Sequence, residues 1–450
     1  MKKVISLLCA GSMMLGLAAC GQTTPSGGVS SAAGSQAEKP YAGTTLRVVS
    51  MTAQVSDGIQ EYLSGFEDKT GIKVNLELYG ESELRQKTTT EFLSGSSTID
   101  VFLLSPLQDM APYSKNGWIE PLDTYLDDPE LNWSDFTAPK EQITLSGTDS
   151  IGCLPLYSSV QLMYYRTDLF EQKGLTPPTN YEELLQVCEK LNDPSNNLYA
   201  IACRGEKIAL TSQFSPFLFG YGGSYIKDGK SNIASAESVD AIKFYGKLLG
   251  KYGPPGILTT GYSQMTQLFN SGTVAMAIDA NALYATLTDK AESAYYDKVG
   301  VAPIPEGPTG RQSYKQVVWG SSIYSGSKNK DSAWEFMKFV AGSDVAAYIT
   351  PKGMPSFRSS IWNDSRVKDA MSADMVKAYS VINESDTTNP YGLPRLTSVT
   401  EARDAIGEAV VYSIETKGEG KEIEAKAKTA ADKVDQLLKN SNEYGDKYSY

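Results

Sequence analysis

Between Thr45 and Leu104 the apolar residues switch repeatedly between the spacing of strands and that of helices, and this alternation limits the fold more than any other feature. Thr45–Met51 (TLRVVSM) is predicted as a strand. Asp57–Thr70 follows as an amphipathic helix with Ile59, Tyr62, Leu63 and Phe66 on one stripe, Asp57 and Gln60 spaced as a capping box, and Gly71 ending it. Lys73–Tyr79 alternates, with Val74, Leu76 and Leu78 on one side, as a half-buried strand does. Glu83–Leu93 is predicted as a second helix, and Ile99–Leu104 (IDVFLL) as a strand buried on both faces. The order β-α-β-α-β is the unit of an open parallel sheet with right-handed crossovers. Ligands of such sheets collect beyond the carboxyl ends of the strands. Here those ends are Ser50-Met51-Thr52, Gly80-Glu81-Ser82 and Ser105-Pro106-Leu107, so Thr52, Glu81, Ser105 and the following Asp109 become candidate ligand contacts.

The amino terminus has a different character. Lys2 and Lys3 precede an apolar run from Val4 to Leu17, and the run closes on Ala18-Ala19-Cys20-Gly21. A basic start, a short apolar stretch and small residues before a cut form a secretory leader, and the run is short for a bilayer span. Ending on cysteine, it resembles the lipobox of bacterial lipoproteins. That resemblance implies loss of residues 1–19, acylation of Cys20, and a body held on the outer face of the cytoplasmic membrane, as in a Gram-positive envelope. An anchor of this kind is stable when it carries more than one acyl chain. Residues 20–43 then read as lipidated cysteine plus tether: they are rich in Gly, Ser, Ala, Thr and Gln and cannot bury enough apolar surface to offset the entropy of ordering. A tether of this length spans roughly 26 Å on root-mean-square average.

Composition removes several classes of activity. The chain has no histidine, which excludes Ser-His-Asp and Cys-His catalysis and any imidazole-based zinc site. Its net charge of −12, which becomes more negative when the leader's two lysines are lost, argues against nucleic acid as a partner and against attraction to anionic lipid. No metal or cofactor is expected. Cys153, Cys188 and Cys203 are an odd set once Cys9 and Cys20 are set aside; buried free thiols are expected, with one bridge among them left open. No GxxxxGK[ST] loop occurs, so the chain does not itself bind a nucleotide through that device.

The stretch LPLYSSVQLMYYRTDLFEQKGLTPPTNYEELLQVCEKL, residues 154–191, carries Pro155, Tyr164-Tyr165, Asp168-Leu169-Phe170, Pro177-Pro178-Thr179 and Glu182-Glu183-Leu184 in a fixed order. Further on come Phe269–Met276 (FNSGTVAM), Val299–Pro308 (VGVAPIPEGP), Trp319-Gly320-Ser321, SGSKNKDSAWEFMKFVAG (325–342) and Gly353–Arg358 (GMPSFR). This ordered set resembles the family 1 extracellular solute-binding proteins, which serve ABC importers, chiefly for sugars; Arg166 departs from it, since asparagine is common there. The resemblance implies a two-lobed α/β fold of the periplasmic-binding-protein type, class II topology, with the ligand cleft between the lobes. Lobe one is expected to hold 44–153 plus about 322–360 and lobe two 158–308 plus about 361–450. Crossings are expected near 153–158, 308–322 and 358–365.

What the resemblance implies for function is a lipid-anchored, monomeric receptor that performs no covalent chemistry. It would bind a carbohydrate, with an oligosaccharide expected, and deliver it to an ABC permease. A neutral sugar offers hydroxyls at its edge and C–H groups on its faces, so its site needs carboxylates or amides beside flat rings. The 27 tyrosines supply rings in abundance. The expected contacts are Trp319 and Tyr157 on the crossings, Gln213 and Tyr221 near a glycine-rich loop, Asp279 and Asn281 after the strand that begins at Val274, and Arg358 and Tyr391 from later loops. The family often places a tryptophan after that strand; here Tyr284 is the available ring. A different solute is the alternative, for example ferric ion held by the tyrosine pairs 164–165 and 295–296, although adjacent residues of a strand point to opposite faces. A secreted glycosidase would need two aligned carboxylates from among Glu81, Asp109 and Asp279. An adhesion or sensor-partner lipoprotein is a further rival.

Overall fold

The computed structural model describes residues 39–310, 317–384 and 392–445. Cys20, the leader, most of the tether and Tyr391 lie outside the described residues.

Strand β1 (Thr45–Met51), helix α1 (Gln54–Thr70), β2 (Lys73–Tyr79), α2 (Glu81–Leu93), β3 (Val101–Leu104), α3 (Pro106–Lys115) and β4 (Leu154–Ser159) open the chain. β1 pairs in parallel with both β2 and β3. α1 begins three residues before the expected Asp57. Ala53 is extended, the Ser56 amide donates to the Ala53 carbonyl at 2.8 Å, and the Ser56 hydroxyl donates back to the Met51 carbonyl at 2.7 Å. That local anchoring starts the first turn before a capping box at Asp57 can form. The helix ends where Gly71 takes φ 82°, with its amide returning to the Glu67 carbonyl.

The next segments are β5 (Gln161–Arg166), β6 (Tyr199–Ala202), α4 (Lys207–Gly220), α5 (Ala236–Tyr252), α6 (Tyr262–Asn270), β7 (Val274–Ala280) and β8 (Val299–Ala302). β9 (Val317–Ile323), α7 (Lys330–Val340) and α8 (Ser343–Ile349) follow, and then α9 (Ala373–Glu384), α10 (Val399–Glu415) and α11 (Ile423–Asn440).

Two main sheets result, ordered β2-β1-β3-β9-β4 and β8-β5-β7-β6, beside a two-stranded pairing of Ile226–Lys227 with Lys230–Ser231. The first is mixed rather than purely parallel, because β9 returns antiparallel between β3 and β4. Each sheet has its own apolar core. One runs from Leu46 to Tyr157 and from Val318 to Phe357; in it Phe92 stacks on Tyr324 with centroids 4.4 Å apart and meets Phe102 edge-on at 5.1 Å. The other runs from Val160 to Ile304 and from Met375 to Leu438, with Tyr181 stacked on Phe244 at 4.7 Å. Such ring pairs add about 0.5–1.5 kcal/mol each beyond the area they bury. Among the described residues the chain therefore passes between cores three times: at Ser159–Val160, between Ile304 and Val318, and between Phe357 and Met375. On the last passage Ile361 and Val367 pack on Ala346 and Ala347 of α8, and Met371 touches both this small cluster and the second core. Ile423, Ala427, Val434 and Leu438 form the buried stripe of α11 that their spacing predicts. Cys153, Cys188 and Cys203 are buried free thiols. Among the described residues no helix is long and apolar enough to cross a membrane.

Candidate functional site

Sheet direction decides which residues can meet. β1, β2, β3 and β4 all run the same way, and β9 runs against them. Their carboxyl ends and the amino end of β9 therefore share one edge, which carries Thr52, Glu81, Ser105, Tyr157 and Trp319. In the second sheet β6 and β7 are parallel and β5 is antiparallel to β7, so Arg204, Asp279 and Gln161 share an edge. Only Val160 separates β4 from β5. The two edges must face each other across that crossing, and the walls of a cleft follow from the topology.

On the first wall the Thr52 amide donates to the Tyr79 carbonyl at 2.9 Å, which leaves the Thr52 side chain exposed. Trp319 lies in register with Tyr157, their rings nearly coplanar in orientation (4°) with centroids 6.3 Å apart. Both rings are buried, Trp319 at 8 % exposure, so they belong to the lobe-one core as well as to the wall. The Tyr157 hydroxyl and the Ser105 hydroxyl are buried and make no hydrogen bond within the protein. Asp109 is fully engaged: Oδ2 accepts from the Ser105 amide at 3.0 Å and Oδ1 from Arg85 Nε at 2.7 Å.

On the second wall Asp279 is wholly buried and holds Arg204 through two bonds, Nε to Oδ2 at 3.0 Å and Nη2 to Oδ1 at 2.8 Å. Gln213, also wholly buried, turns its carbonyl oxygen to Arg204 Nη2 at 3.0 Å and Gln161 Nε2 at 3.3 Å, and its amide donates to the Ile278 carbonyl at 3.1 Å. It supports the wall from behind. Gln161 also donates to the Ser212 carbonyl at 3.0 Å, and its own Oε1 makes no bond. Burial alone would push Arg204 toward neutrality; Asp279 and Glu81 more than reverse this and hold the guanidinium above its ordinary pKa. Tyr262, at the start of α6, has its ring 5.7 Å from the Arg204 guanidinium. Tyr262 keeps 37 % of its surface exposed, yet the protein packed around its hydroxyl desolvates that group. That desolvation, with Asp279 nearby, pushes its pKa up to about 12.

The walls are joined by a polar chain. Arg85 Nη2 donates to Glu81 Oε1 at 3.4 Å, Gln108 Nε2 reaches the same oxygen at 3.5 Å, and Arg403 Nη1 of α10 donates to Gln108 Oε1 at 2.8 Å. Desolvation raises the Glu81 pKa, but Arg85, Arg204 and Arg403 outweigh it and the carboxyl is held below its usual range. Burial lowers Arg403 to about 10 despite the attraction of Glu81. Three carboxylates (Glu81, Asp109, Asp279) thus balance three guanidiniums (Arg85, Arg204, Arg403). Beside this chain lies a cavity of about 760 Å³, lined by Arg85, Gln108, Lys207 and Arg403 among others.

Several expected contacts lie elsewhere. Asn281 is buried at the crossing: Oδ1 accepts from the Val160 amide at 3.3 Å, and Nδ2 donates to the Ser158 carbonyl at 3.1 Å and to the Tyr379 hydroxyl at 3.0 Å. Tyr221 follows the carboxyl end of α4, about 20 Å along the helix from the cleft end at Lys207, and stacks on Tyr181. Arg358 staples lobe one, donating to the carbonyls of Ala341 and Leu131 and to Asp135. Tyr284 packs against the lobe-two core. The tyrosine pairs do not converge either. Tyr164 donates to the carbonyls of Ala280 and Asn281, Tyr165 packs on Phe170, and Tyr295 lies under the Arg166 guanidinium at 3.3 Å. A glycosidase acid needs a raised carboxyl pKa; Glu81, on the first wall, is displaced the other way.

Arg204, Tyr262, Gln161 and Arg403 were not expected. Arg204 carried a signal, since it directly follows the apolar run YAIAC. Arg403 carried another, as a cation on the buried stripe formed by Val399, Ile406 and Val410.

A cleft between two α/β lobes, walled by rings and charge-balanced polar groups, defines a two-lobed solute-binding protein. The chain belongs to the bacterial extracellular solute-binding protein family, whose pattern matches residues 52–347. It is 30 % identical over 288 residues to the mannitol-binding protein of Pseudomonas aeruginosa, covering 60 % of this chain and 64 % of that one, under two thirds of the relative's length. It is 27 % identical over 351 residues to the erythritol/L-threitol-binding protein of Mycolicibacterium smegmatis, covering 73 % of each. An ABC transporter solute-binding protein of Agrobacterium radiobacter K84 in complex with ribitol shares the fold with a TM-score of 0.77 at 25 % identity, over 89 % of this chain and 100 % of that one.

Proposed function

We propose that this chain is the receptor subunit of an ABC importer for an uncharged, polyhydroxylated carbohydrate, a sugar or a sugar alcohol. One observation supports the reading: the facing edges of the two sheets carry rings (Tyr157 and Trp319 on one, Tyr262 beside Arg204 on the other) together with carboxylate–guanidinium pairs of zero net charge. The rings supply faces for C–H groups. The paired side chains supply hydroxyl partners already fixed in place, so little ordering entropy is lost on binding. The relatives named for mannitol and for erythritol and L-threitol support the ligand class. Ligand contacts both lobes and favours the closed form by differential contact, and that form docks on the permease. The protein itself makes and breaks no covalent bond. Residues 1–19 act as leader, Cys20 carries the lipid, residues 21–43 tether a monomeric body at the outer face of the membrane, and Thr52, Glu81, Ser105 and Asp279 present polar groups to the ligand.

The test is a thermal-shift screen followed by calorimetry with mannitol, ribitol, erythritol, maltose and maltotriose. A ligand of the native state at a hundred times its Kd raises stability by about 2.7 kcal/mol. A flat melting temperature and no heat across the panel refute the proposal.

A further inference from the structure

We infer that the chain Arg85–Glu81–Gln108–Arg403 is a fence that limits ligand length, so that the cleft takes a single sugar or an open-chain polyol and excludes longer oligosaccharides. The inference rests on the carbohydrate-receptor reading and deepens it. The fence is continuous from lobe one to lobe two, with contacts of 3.4, 3.5 and 2.8 Å. Arg403 is 9 % exposed, and its charge interacts with Glu81 and Arg204, which puts it beside the inner walls. Arg403, Gln108 and Arg85 also line the 760 Å³ cavity, whereas Tyr157, Trp319, Tyr262, Arg204 and Asp279 do not. The fence therefore has two sides of different chemistry. On the far side from that cavity are the sheet edges that carry the three rings and the Asp279–Arg204 pair, with Tyr157 and Trp319 only 2 % and 8 % exposed. Outside are Ser82, Gln86, Thr89, Lys207, Asp404 and Lys433 among others, with no aromatic residue in the lining.

A saccharide is gripped by stacking on its faces and hydrogen bonds at its edge. Only the inner side offers both. A second or third sugar unit would have to displace the Arg403–Gln108 bond and would then meet a compartment with no ring to stack on. Removing the Gln108–Arg403 link opens that end and lets the longer ligand extend, while the rings and the Asp279–Arg204 pair stay in place. Arg403 and Gln108 thus determine specificity by closing one end of the site.

The experiment measures Kd by calorimetry for D-mannitol, ribitol, maltose and maltotriose, on the full chain and on Gln108→Ala and Arg403→Met. In the unaltered chain the best polyol binds at least about a hundredfold more tightly than maltotriose. Gln108→Ala, a change at the surface of the cavity that leaves Arg403 in place, reduces this ratio at least about tenfold, and Arg403→Met reduces it similarly. Equal affinity of the unaltered chain for maltotriose and the polyols overturns the fence while leaving the receptor reading intact. So does a ratio unchanged in Gln108→Ala when circular dichroism shows it folded. Absence of any binding by the unaltered chain overturns the receptor reading and the fence with it.

Discussion

Asn281→Ala should unfold the hinge before it touches the ligand. Its side chain makes three bonds, at 3.3 Å from the Val160 amide, 3.1 Å to the Ser158 carbonyl and 3.0 Å to the Tyr379 hydroxyl, and it is 1 % exposed. These partners come from the end of β4, the single crossing residue and α9, so one amide ties both lobes to the strand β7. The backbone of Asn281 is held as well: its amide donates to the Val160 carbonyl at 2.9 Å, and Gly353 of lobe one, at φ 90°, approaches so closely that a Cβ there would lie 2.1 Å from the Asn281 carbonyl oxygen. Truncation strands two buried backbone groups and weakens a third partner. A buried polar group left unsatisfied costs about 1–3 kcal/mol, so the loss should be about 3–5 kcal/mol, a large share of the 5–15 kcal/mol typical of folded proteins. Urea unfolding followed by circular dichroism and tryptophan fluorescence measures it. Tyr379→Phe alone should cost about 1 kcal/mol, and adding it to Asn281→Ala should cost almost nothing more, because the shared bond is already gone. Asn281→Asp gives a second signature. Its carboxylate would face the Ser158 carbonyl in a buried site, which raises the folded-state pKa above the unfolded value. The defect is then largest above that raised pKa and shrinks as pH falls. A loss under about 1 kcal/mol for Asn281→Ala, coupled with a large drop in carbohydrate affinity, would return Asn281 to the ligand surface and refute the hinge assignment.

Asp279→Ala should cost about 3–5 kcal/mol by leaving Arg204 charged and buried, whereas Asp279→Leu with Arg204→Met should recover most of that stability but bind no carbohydrate; urea midpoints and calorimetry separate the two. Trp319→Ala should lower stability by about 3–5 kcal/mol because its ring fills the lobe-one core, while Tyr262→Ala, at an exposed ring, should leave the melting temperature almost unchanged and weaken ligand about tenfold. Glu91 accepts from Arg47 Nη1 at 2.7 Å and Nη2 at 2.8 Å, which takes its pKa down to about 2. Its contribution to stability should be present above the unfolded value near 4.5 and disappear as pH falls toward about 2, and Glu91→Gln should flatten that part of the acid-unfolding curve.

The sheets and the cleft edge were legible because period and direction are written locally. Alternation over Lys73–Tyr79 and the apolar run to Leu104 fix two strands, and once they are parallel, Glu81 and Ser105 must share an edge. Asp279 was legible for the same reason. Asn281 was misplaced because it lies two residues beyond Asp279 and carries an equally polar group. Nothing in that spacing says that the chain bends back and buries it against Ser158 and Tyr379, the latter nearly a hundred residues away. Tyr221 and Arg358 were misplaced by analogy of position along the chain: the residue after α4 is at the wrong end of a helix whose start faces the cleft. Arg403 was missed although it interrupts an apolar stripe, since its partner Gln108 is brought to it only by the third passage between the lobes.

The same separation bears on how a receptor of the proposed kind would hold and release a ligand. The contacts at the crossing, at Asn281, Tyr164 and Gly353, are buried and close to the backbone. The polar contacts between the two walls are made instead by long side chains, chiefly Arg403 to Gln108, with Arg204 and Arg403 acting on Glu81. Opening of the cleft in the proposed receptor would exchange each of these few bonds to protein for a bond to water, which keeps the net difference small. A ligand that adds hydrogen bonds and ring contacts to both walls at once can therefore tip the balance, and withdrawing those contacts lets the lobes part without disturbing either core.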